Sequence, residues 1–293
     1  MSDETRMFAD RQALCRQAAA ELLEVLAAAV RDRGEASAVL TGGGTGTGIL
    51  AAVADLLDAG GGGGDGPAGG LPVPDWSRVH LWWGDERFLP AGDPERNEVQ
   101  ARAALLDLLV DCHGLPAENI HPMPADGPAA VSVAGSAVGT AGPPATPPRL
   151  GAAADAYAAE LLARAQAPRP APDGAAVDAR LPVFDVVMLG VGPDAHVASL
   201  FPGLPGPLAE GVTVVPVTDS PKPPARRLSL TVEALNTAER LWFVVAGADK
   251  AEAVAAVRHA RDHGTTDAAR WPASVVSGRA VTTWWLDEAA AGN

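Results

Sequence analysis

Apolar residues along the chain form two kinds of pattern, short continuous runs and longer stretches with helical spacing. The continuous runs predict strands at 36–40, 79–83, 183–189, 212–217, 241–246 and 280–286. The helical spacing predicts helices at 8–33, 48–58, 94–110, 152–166, 231–236 and 249–262. Because strands alternate with helices, we predict an α/β fold with a Rossmann-like, mostly parallel sheet and helices on both faces.

Two stretches fit neither pattern. Residues 60–70 are mostly glycine, and residues 124–150 are small residues and proline with almost no charge. Such segments bury too little apolar surface to offset the entropy lost on ordering. We therefore predict a flexible surface loop at 60–70 and a loop or low-complexity insertion at 124–150.

Three polar clusters follow predicted strands directly, at 41–48, 84–87 and 190–199. Ligands of open α/β sheets bind beyond the carboxyl ends of the strands. We therefore expect these clusters to lie at the edge of the sheet where a ligand binds.

The first cluster, Thr41 to Gly48, is rich in glycine. It lacks the glycine spacing of a dinucleotide-binding loop and the lysine of a Walker A loop. Its glycines still let the backbone approach an anion, and the following helix presents free N–H groups and the positive end of its dipole. The cluster indicates either a phosphate-binding loop or a tight turn without a ligand.

His196 in the third cluster has the setting of a catalytic side chain. It follows a predicted buried strand and two glycines, Gly190 and Gly192, and Asp194 lies two residues before it. Imidazole accepts a proton near neutral pH, so it suits a general base that Asp194 orients or polarises. The alternative is a histidine with a structural role.

Two further segments offer cations. Arg87 follows Asp85 and Glu86, whose carboxylates would hold its guanidinium for binding a phosphate or an oxyanion. Prolines at 221–224 fix the backbone around Lys222 and before Arg227, which predicts a rigid cationic loop. The alternatives are a surface ion-pair cluster and a proline-rich surface turn, respectively.

Composition narrows the classes of partner. The chain has 22 Lys and Arg against 36 Asp and Glu, a net charge of −14, which opposes general binding to nucleic acids and to anionic membranes. Two cysteines far apart, Cys15 and Cys112, exclude a cysteine-rich zinc site. The first residues lack a signal-peptide pattern and no apolar run reaches the length of a membrane span, so we expect a cytoplasmic protein.

With these motifs in order, the chain resembles the 6-phosphogluconolactonases over nearly its whole length. The resemblance rests on blocks at 83–88 with Pro90 and Asn97, at 119–121, at 184–203, and at 221–231. Two departures occur in otherwise matching blocks. The first loop has Gly44 and Gly46 where the family usually has Ser and Pro, and Ala195 stands where the family usually has Gly. An alanine at 195 would be strained if that position requires a positive φ.

The resemblance implies a fold like that of glucosamine-6-phosphate deaminase and ribose-5-phosphate isomerase, in a single domain over 1–293 with additions near 60–70 and 126–150. It implies hydrolysis of 6-phospho-D-glucono-1,5-lactone to 6-phospho-D-gluconate, without cofactor or metal, by a monomer or weak dimer. His196 is expected to activate water, with Asp194 and Arg87 as the other catalytic residues. The expected binding residues for the sugar phosphate are Gly43, Gly44, Thr45, Asp85, Lys222 and Arg227.

Two alternatives remain. The deaminases share an Asp-Gly-His stretch but follow it with Asn-Glu-Pro, whose Glu takes part in catalysis, whereas this chain has Leu200-Phe201-Pro202. A non-catalytic sugar-phosphate sensor would keep the cations and have no need of His196. Such sensors usually carry a DNA-binding domain, and no basic helical segment here suggests one.

Overall fold

The computed structural model describes residues 2–60, 70–127, 150–165 and 178–292. The predicted loops at 60–70 and 124–150, and the additions that the resemblance places there, fall mainly outside these residues. Those expectations therefore remain predictions.

A six-stranded parallel sheet forms the centre of the described structure. Its strands, in spatial order, are β1 (Ser2–Phe8), β9 (Val281–Asp287), β8 (Arg240–Val245), β5 (Val186–Leu189), β2 (Ala36–Leu40) and β3 (Val79–Trp83). Every residue of β2 and β5 is buried. Because successive side chains of a strand point to opposite faces, both faces of these strands are covered. The predicted mostly parallel α/β architecture is confirmed.

The register of the sheet brings two of the polar clusters side by side. Leu40 at the end of β2 is paired with Trp83 at the end of β3. The Gly84 amide then donates to the Leu40 carbonyl, 3.1 Å away. The segments that begin at Thr41 and Gly84 therefore leave the same edge of the sheet together.

A smaller antiparallel sheet stands next to that edge. Its strands are β4 (Asp85–Arg87), β7 (Arg227–Leu230) and β6 (Val214–Val217), in the order β4-β7-β6. The register pairs Arg87 with Arg227 and Asp85 with Ser229. The second sheet thus places two cationic side chains on neighbouring strands.

Seven α-helices occur among the described residues: α1 (Arg11–Arg33), α2 (Gly43–Gly60), α3 (Asn97–Ala101), α4 (Asp107–Cys112), α5 (Leu150–Arg164), α6 (Val232–Leu235) and α7 (Ala251–Asp262). A π-helical turn, Arg102–Leu106, joins α3 to α4. The Asp10 carboxylate caps α1 by accepting from the Ala13 amide, and Gly34 ends that helix at φ 85°. No described helix is long and apolar enough to cross a bilayer.

Three predicted helices begin three or more residues from the observed start, and one of them is the prediction at 94–110, which began too early because α3 starts only at Asn97. The prediction at 8–33 included the end of β1, and α1 starts only at Arg11. The prediction at 48–58 began too late, because α2 starts at Gly43 inside the glycine-rich cluster. Glycine is a poor helix former, but here the helix packs too closely for side chains. A Cβ at Gly46 would collide with the Thr41 carbonyl, and one at Gly48 would stand 2.9 Å from Sγ of Cys15.

Candidate active site

One cleft of about 380 Å³ collects nearly all of the predicted site residues. It opens beyond the carboxyl ends of β2, β3, β5 and β8, where a parallel sheet is expected to bind its ligand. The predicted residues that line it are Gly43, Gly44, Thr45, Asp85, Arg87, His196, Lys222 and Arg227. Asp194 does not line the cleft itself but contacts His196 and Lys222.

The catalytic candidates His196 and Asp194 form a hydrogen-bonded pair. Nδ1 of His196 lies 2.5 Å from Oδ1 of Asp194, and the His196 side chain is 15% exposed. Its ring packs against Phe201, with 4.5 Å between ring centroids. Because Nδ1 is engaged by the carboxylate, Nε2 is the nitrogen left for chemistry in the cleft.

Backbone geometry explains the glycine two residues before Asp194. The Gly192 amide donates to the His196 carbonyl at 2.9 Å, and the Ala195 amide donates to the Gly192 carbonyl at the same distance. This tight turn folds the Asp194–His196 pair back over Gly192. A Cβ at Gly192 would overlap both the imidazole and the carboxylate. The turn therefore requires glycine at this position.

Ala195, which stands where the resembling family usually has glycine, adopts a positive φ. Its φ is 63°, in the left-handed region that glycine reaches without cost and alanine does not. The alanine therefore stores strain next to His196. Ala198, at φ 49°, is a second left-handed alanine in the same segment.

The charge of Asp194 is stabilised by its neighbours. Partial burial by itself raises the pKa of this carboxyl, but the hydrogen bond and positive charge of His196, with Lys222, outweigh burial and lower the pKa to about 2. Nζ of Lys222 lies 3.8 Å from Oδ1 of Asp194. Asp194 is therefore an anion at neutral pH and links the histidine to the cationic loop.

The Arg227 guanidinium holds the proline-rich loop through hydrogen bonds to its backbone carbonyls. It is buried, and its Nε donates to the Pro224 carbonyl at 3.1 Å while Nη2 donates to the carbonyls of Lys222 and Pro223 at 3.2 and 3.1 Å. Its Nη1 lies 3.9 Å from Oδ2 of Asp85. Arg227 thus fixes the backbone that carries Lys222 while also lining the cleft.

Asp85 connects the same site to the histidine segment. Its carboxylate is buried and accepts from Oγ of Ser199 at 2.6 Å. The Ser199 amide in turn donates to Oγ of Ser229 at 3.2 Å. Asp85 therefore ties the smaller sheet to the segment that follows His196, which is a supporting role next to Arg227.

The expectation that the neighbouring carboxylates hold the Arg87 side chain is wrong, because the Asp85 carboxylate is engaged by Ser199 and Arg227 and the Glu86 carboxylate accepts from backbone amides. Residues two apart share a face of a strand, so Asp85 and Arg87 line the cleft while Glu86 points away. The Glu86 carboxylate accepts from the amides of Arg87, Asn97 and Glu98 at 2.7–2.9 Å, which caps the start of α3. The Arg87 guanidinium instead donates through Nη1 to the Glu95 carbonyl.

The glycine-rich cluster presents the N-terminus of α2 to the cleft. Gly43 has φ 78°, which turns the chain from β2 into the helix. The residues of the first turn, Gly43 to Gly46, line the cleft. Their amides have no partner earlier in the helix and carry the positive end of its dipole, so they form an anion-binding surface.

Sequence reasoning missed four polar residues that line the cleft: Arg11, Asn97, Asp249 and Lys250. Lys250 had a signal, because it is one of only two lysines in the chain. Its Nζ lies 2.8 Å from Oδ2 of Asp249. Nδ2 of Asn97 donates to the Asp85 carbonyl at 2.9 Å, and its buried Oδ1 has no hydrogen-bond partner among the described residues.

A second group of histidines lies outside the cleft. Nε2 of His121 is 3.0 Å from Nδ1 of His80, Nδ1 of His121 is 2.7 Å from Oε1 of Glu160, and the His121 ring stacks on Trp82. Burial, aided by His121 and Arg164, lowers the pKa of His80 to about 4. Among the described residues no group of three or more histidines, cysteines and carboxylates is placed to hold a metal ion.

Sequence comparisons point to one family. The family described as glucosamine-6-phosphate isomerases/6-phosphogluconolactonase matches residues 9–285. A 6-phosphogluconolactonase of Streptomyces coelicolor is 44% identical over 294 residues, covering 99% of this chain and 95% of that protein. A 6-phosphogluconolactonase of Mycobacterium tuberculosis is 38% identical, covering 99% of this chain and 98% of that protein.

Solved structures share the fold. A 6-phosphogluconolactonase from Thermotoga maritima superposes with a TM-score of 0.68 at 20% identity, covering 98% of this chain and 100% of that one. A monomeric glucosamine-6-phosphate deaminase superposes with a TM-score of 0.66 at 16% identity, covering 99% of each chain. The fold alone therefore accommodates both activities, and the residues of the cleft must separate them.

Proposed function

The chain belongs to the family of glucosamine-6-phosphate isomerases and 6-phosphogluconolactonases, and from that membership we propose that it hydrolyses 6-phospho-D-glucono-1,5-lactone to 6-phospho-D-gluconate. The observation that carries the proposal is the Asp194–His196 pair at a cleft lined by several cations. The 6-phosphogluconolactonases that match nearly the whole chain support the same reaction.

His196 acts as the general base in this proposal. Nε2 takes a proton from water as the water oxygen attacks the lactone carbonyl, and Asp194 stabilises the imidazolium that forms. The tetrahedral intermediate collapses by breaking the bond between the carbonyl carbon and the ring oxygen. The imidazolium returns its proton to that oxygen, which leaves a hydroxyl and a carboxylic acid that ionises. Acid–base help of this kind is typically worth about 10²–10⁴-fold.

The substrate phosphate is anchored away from the reacting carbon. The N-terminus of α2 at Gly43, Gly44 and Thr45 supplies amides, and Lys222 and Arg227 supply charge. Arg87, next to Arg227 on the paired strand, adds a guanidinium that can also stabilise the developing oxyanion. Binding energy from the phosphate then positions the carbonyl for attack.

A specific contact disfavours the deaminase reaction. The position where the deaminase motif carries its catalytic Glu is Phe201, which is 1% exposed and packs on the His196 ring. A hydrocarbon ring transfers no proton. A sensor without catalysis would leave the hydrogen-bonded Asp194–His196 pair without a role.

The proposal extends to partners and location. A net charge of −14 opposes nucleic-acid binding. Two free cysteines, Cys15 and Cys112, suit the reducing cytoplasm. Few large apolar side chains are exposed among the described residues, which favours a monomer or weak dimer: Met7, Val73, Leu162, Leu208 and Val212.

The test uses purified protein and two substrates. Lactone hydrolysis is followed above its spontaneous rate, and ammonia release from glucosamine 6-phosphate is measured in parallel. The proposal predicts hydrolysis without ammonia. Ammonia release, or lactone loss at the spontaneous rate, would contradict it.

A further inference from the structure

Arg11 lies in the first turn of α1 and lines the cleft, although nothing in its sequence surroundings distinguishes it from the other arginines of that helix. We propose that Arg11 is a further phosphate-binding residue, and that Gly44 provides the space in which its guanidinium stands. The inference rests on the proposed function, since it assigns an additional contact to the same sugar phosphate.

The guanidinium lies directly over the start of α2. A Cβ added at Gly44 would be 3.2 Å from Nη1 of Arg11 and 3.8 Å from its Cζ. A Cβ at 3.2 Å would be tight, so the guanidinium would have to shift if residue 44 carried a side chain. The positive charge of Arg11 and the free amides of the α2 N-terminus therefore face the same part of the cleft.

Arg11 differs from the other cations of the cleft in its partners. Lys222 lies near Asp194, Arg227 near Asp85, Lys250 is paired with Asp249, and Arg87 donates to the Glu95 carbonyl. Within the described residues neither a hydrogen bond nor an ion pair engages the Arg11 guanidinium. All of its donors remain for a ligand, and a guanidinium fork matches two phosphate oxygens at once.

The position of Arg11 also accounts for a departure from the family pattern. Where the resembling family usually has a serine hydroxyl, this chain has Gly44 and so loses one donor. The Arg11 guanidinium approaches the position that a side chain at residue 44 would occupy. A charged donor from α1 therefore takes over the function of a neutral donor from the loop.

The experiment compares Arg11→Ala with Arg16→Ala. Both arginines are exposed on α1, but Arg16 does not line the cleft. We expect Arg11→Ala to weaken binding of 6-phosphogluconate about tenfold and to raise KM for the phosphorylated lactone similarly. Hydrolysis of unphosphorylated gluconolactone, which cannot make the phosphate contact, is expected to fall much less than hydrolysis of the phosphorylated lactone. Arg11→Lys, which keeps the charge but loses the fork, is expected to fall between.

Gly44→Ser tests the linkage between the two positions. Alone it crowds the guanidinium, while in the Arg11→Ala background its hydroxyl replaces part of the lost binding, so the two effects are not additive. The inference is overturned if Arg11→Ala binds 6-phosphogluconate like Arg16→Ala, or if it slows both lactones equally. Wild-type protein that hydrolyses neither lactone would instead contradict the proposed function.

Discussion

Replacing Asp194 with asparagine tests how the carboxylate supports His196. The substitution keeps the shape of the side chain and removes its negative charge, 2.5 Å from Nδ1 of the imidazole. Charges about 4 Å apart attract by about 1 kcal/mol in water and about 4 kcal/mol at the dielectric constant typical near a protein surface. The Asp194 side chain is 36% exposed, so we take an intermediate value of about 2–3 kcal/mol.

That energy applies mainly to the transition state, where the imidazolium forms. We therefore expect kcat of Asp194→Asn to fall by roughly 30- to 150-fold, with a smaller change in KM. The assay follows lactone loss above the spontaneous rate. Asp219→Asn, an exposed acid that hydrogen-bonds Thr218, serves as the control. A kcat within twofold of the wild type would refute the role of the carboxylate.

Three further predictions concern binding, strain and pH. Lys222→Met is expected to weaken 6-phosphogluconate binding roughly 10- to 100-fold, measured by titration calorimetry, because a charge-assisted contact is lost. The control is Arg226→Met, which lies outside the cleft and is expected to leave this binding unchanged. Ala195→Gly relieves the positive φ of 63°, which is worth about 1–2 kcal/mol. It also costs about 0.5–1 kcal/mol of backbone entropy and removes a buried methyl worth about 0.8 kcal/mol. We therefore expect the free energy of unfolding in urea to change by less than about 1 kcal/mol, and a loss of about 1.5 kcal/mol or more would contradict the strain. Folding lowers the pKa of His80 from 6.5 to about 4. Between pH 6.5 and pH 4 the unfolded state therefore binds more protons than the folded state, and the free energy of unfolding declines as the pH drops through this range. Allowing for partial exposure, this decline amounts to about 2 kcal/mol, and urea titrations of His80→Gln at pH 7 and 4.5 are expected to lack it.

Central strands buried on both faces were predicted, but burial did not decide every case, since β6 was predicted although Pro216 is exposed and the fully buried β7 was missed. The continuous apolar runs of β2 and β5 are typical of strands in a parallel sheet that is covered on both faces. β1 was missed because it is an edge strand of mostly polar residues, Ser2–Phe8, that pairs only with β9. β4 was missed because it consists of Asp85, Glu86 and Arg87, whose burial depends on partners far along the chain, among them Ser199 and Asn97.

The site residues divide in the same way. His196 and Asp194 are close in sequence and share one glycine-shaped turn, so a local pattern was enough to nominate them together. Lys222 stood out because lysine is rare in this chain. Arg11 had no local signal, since only the packing of α1 against α2 brings it over Gly44. The partner of Arg87 was misjudged because strand alternation turns Glu86 to the opposite side.

The most direct test of the account is lactone hydrolysis by His196→Ala beside the wild type, with the spontaneous rate subtracted. Removal of the general base is expected to lower kcat by about 10²–10⁴-fold while 6-phosphogluconate binding persists, because the phosphate contacts remain. A His196→Ala variant that hydrolyses the lactone as fast as the wild type would contradict the assignment of the base and with it the mechanism.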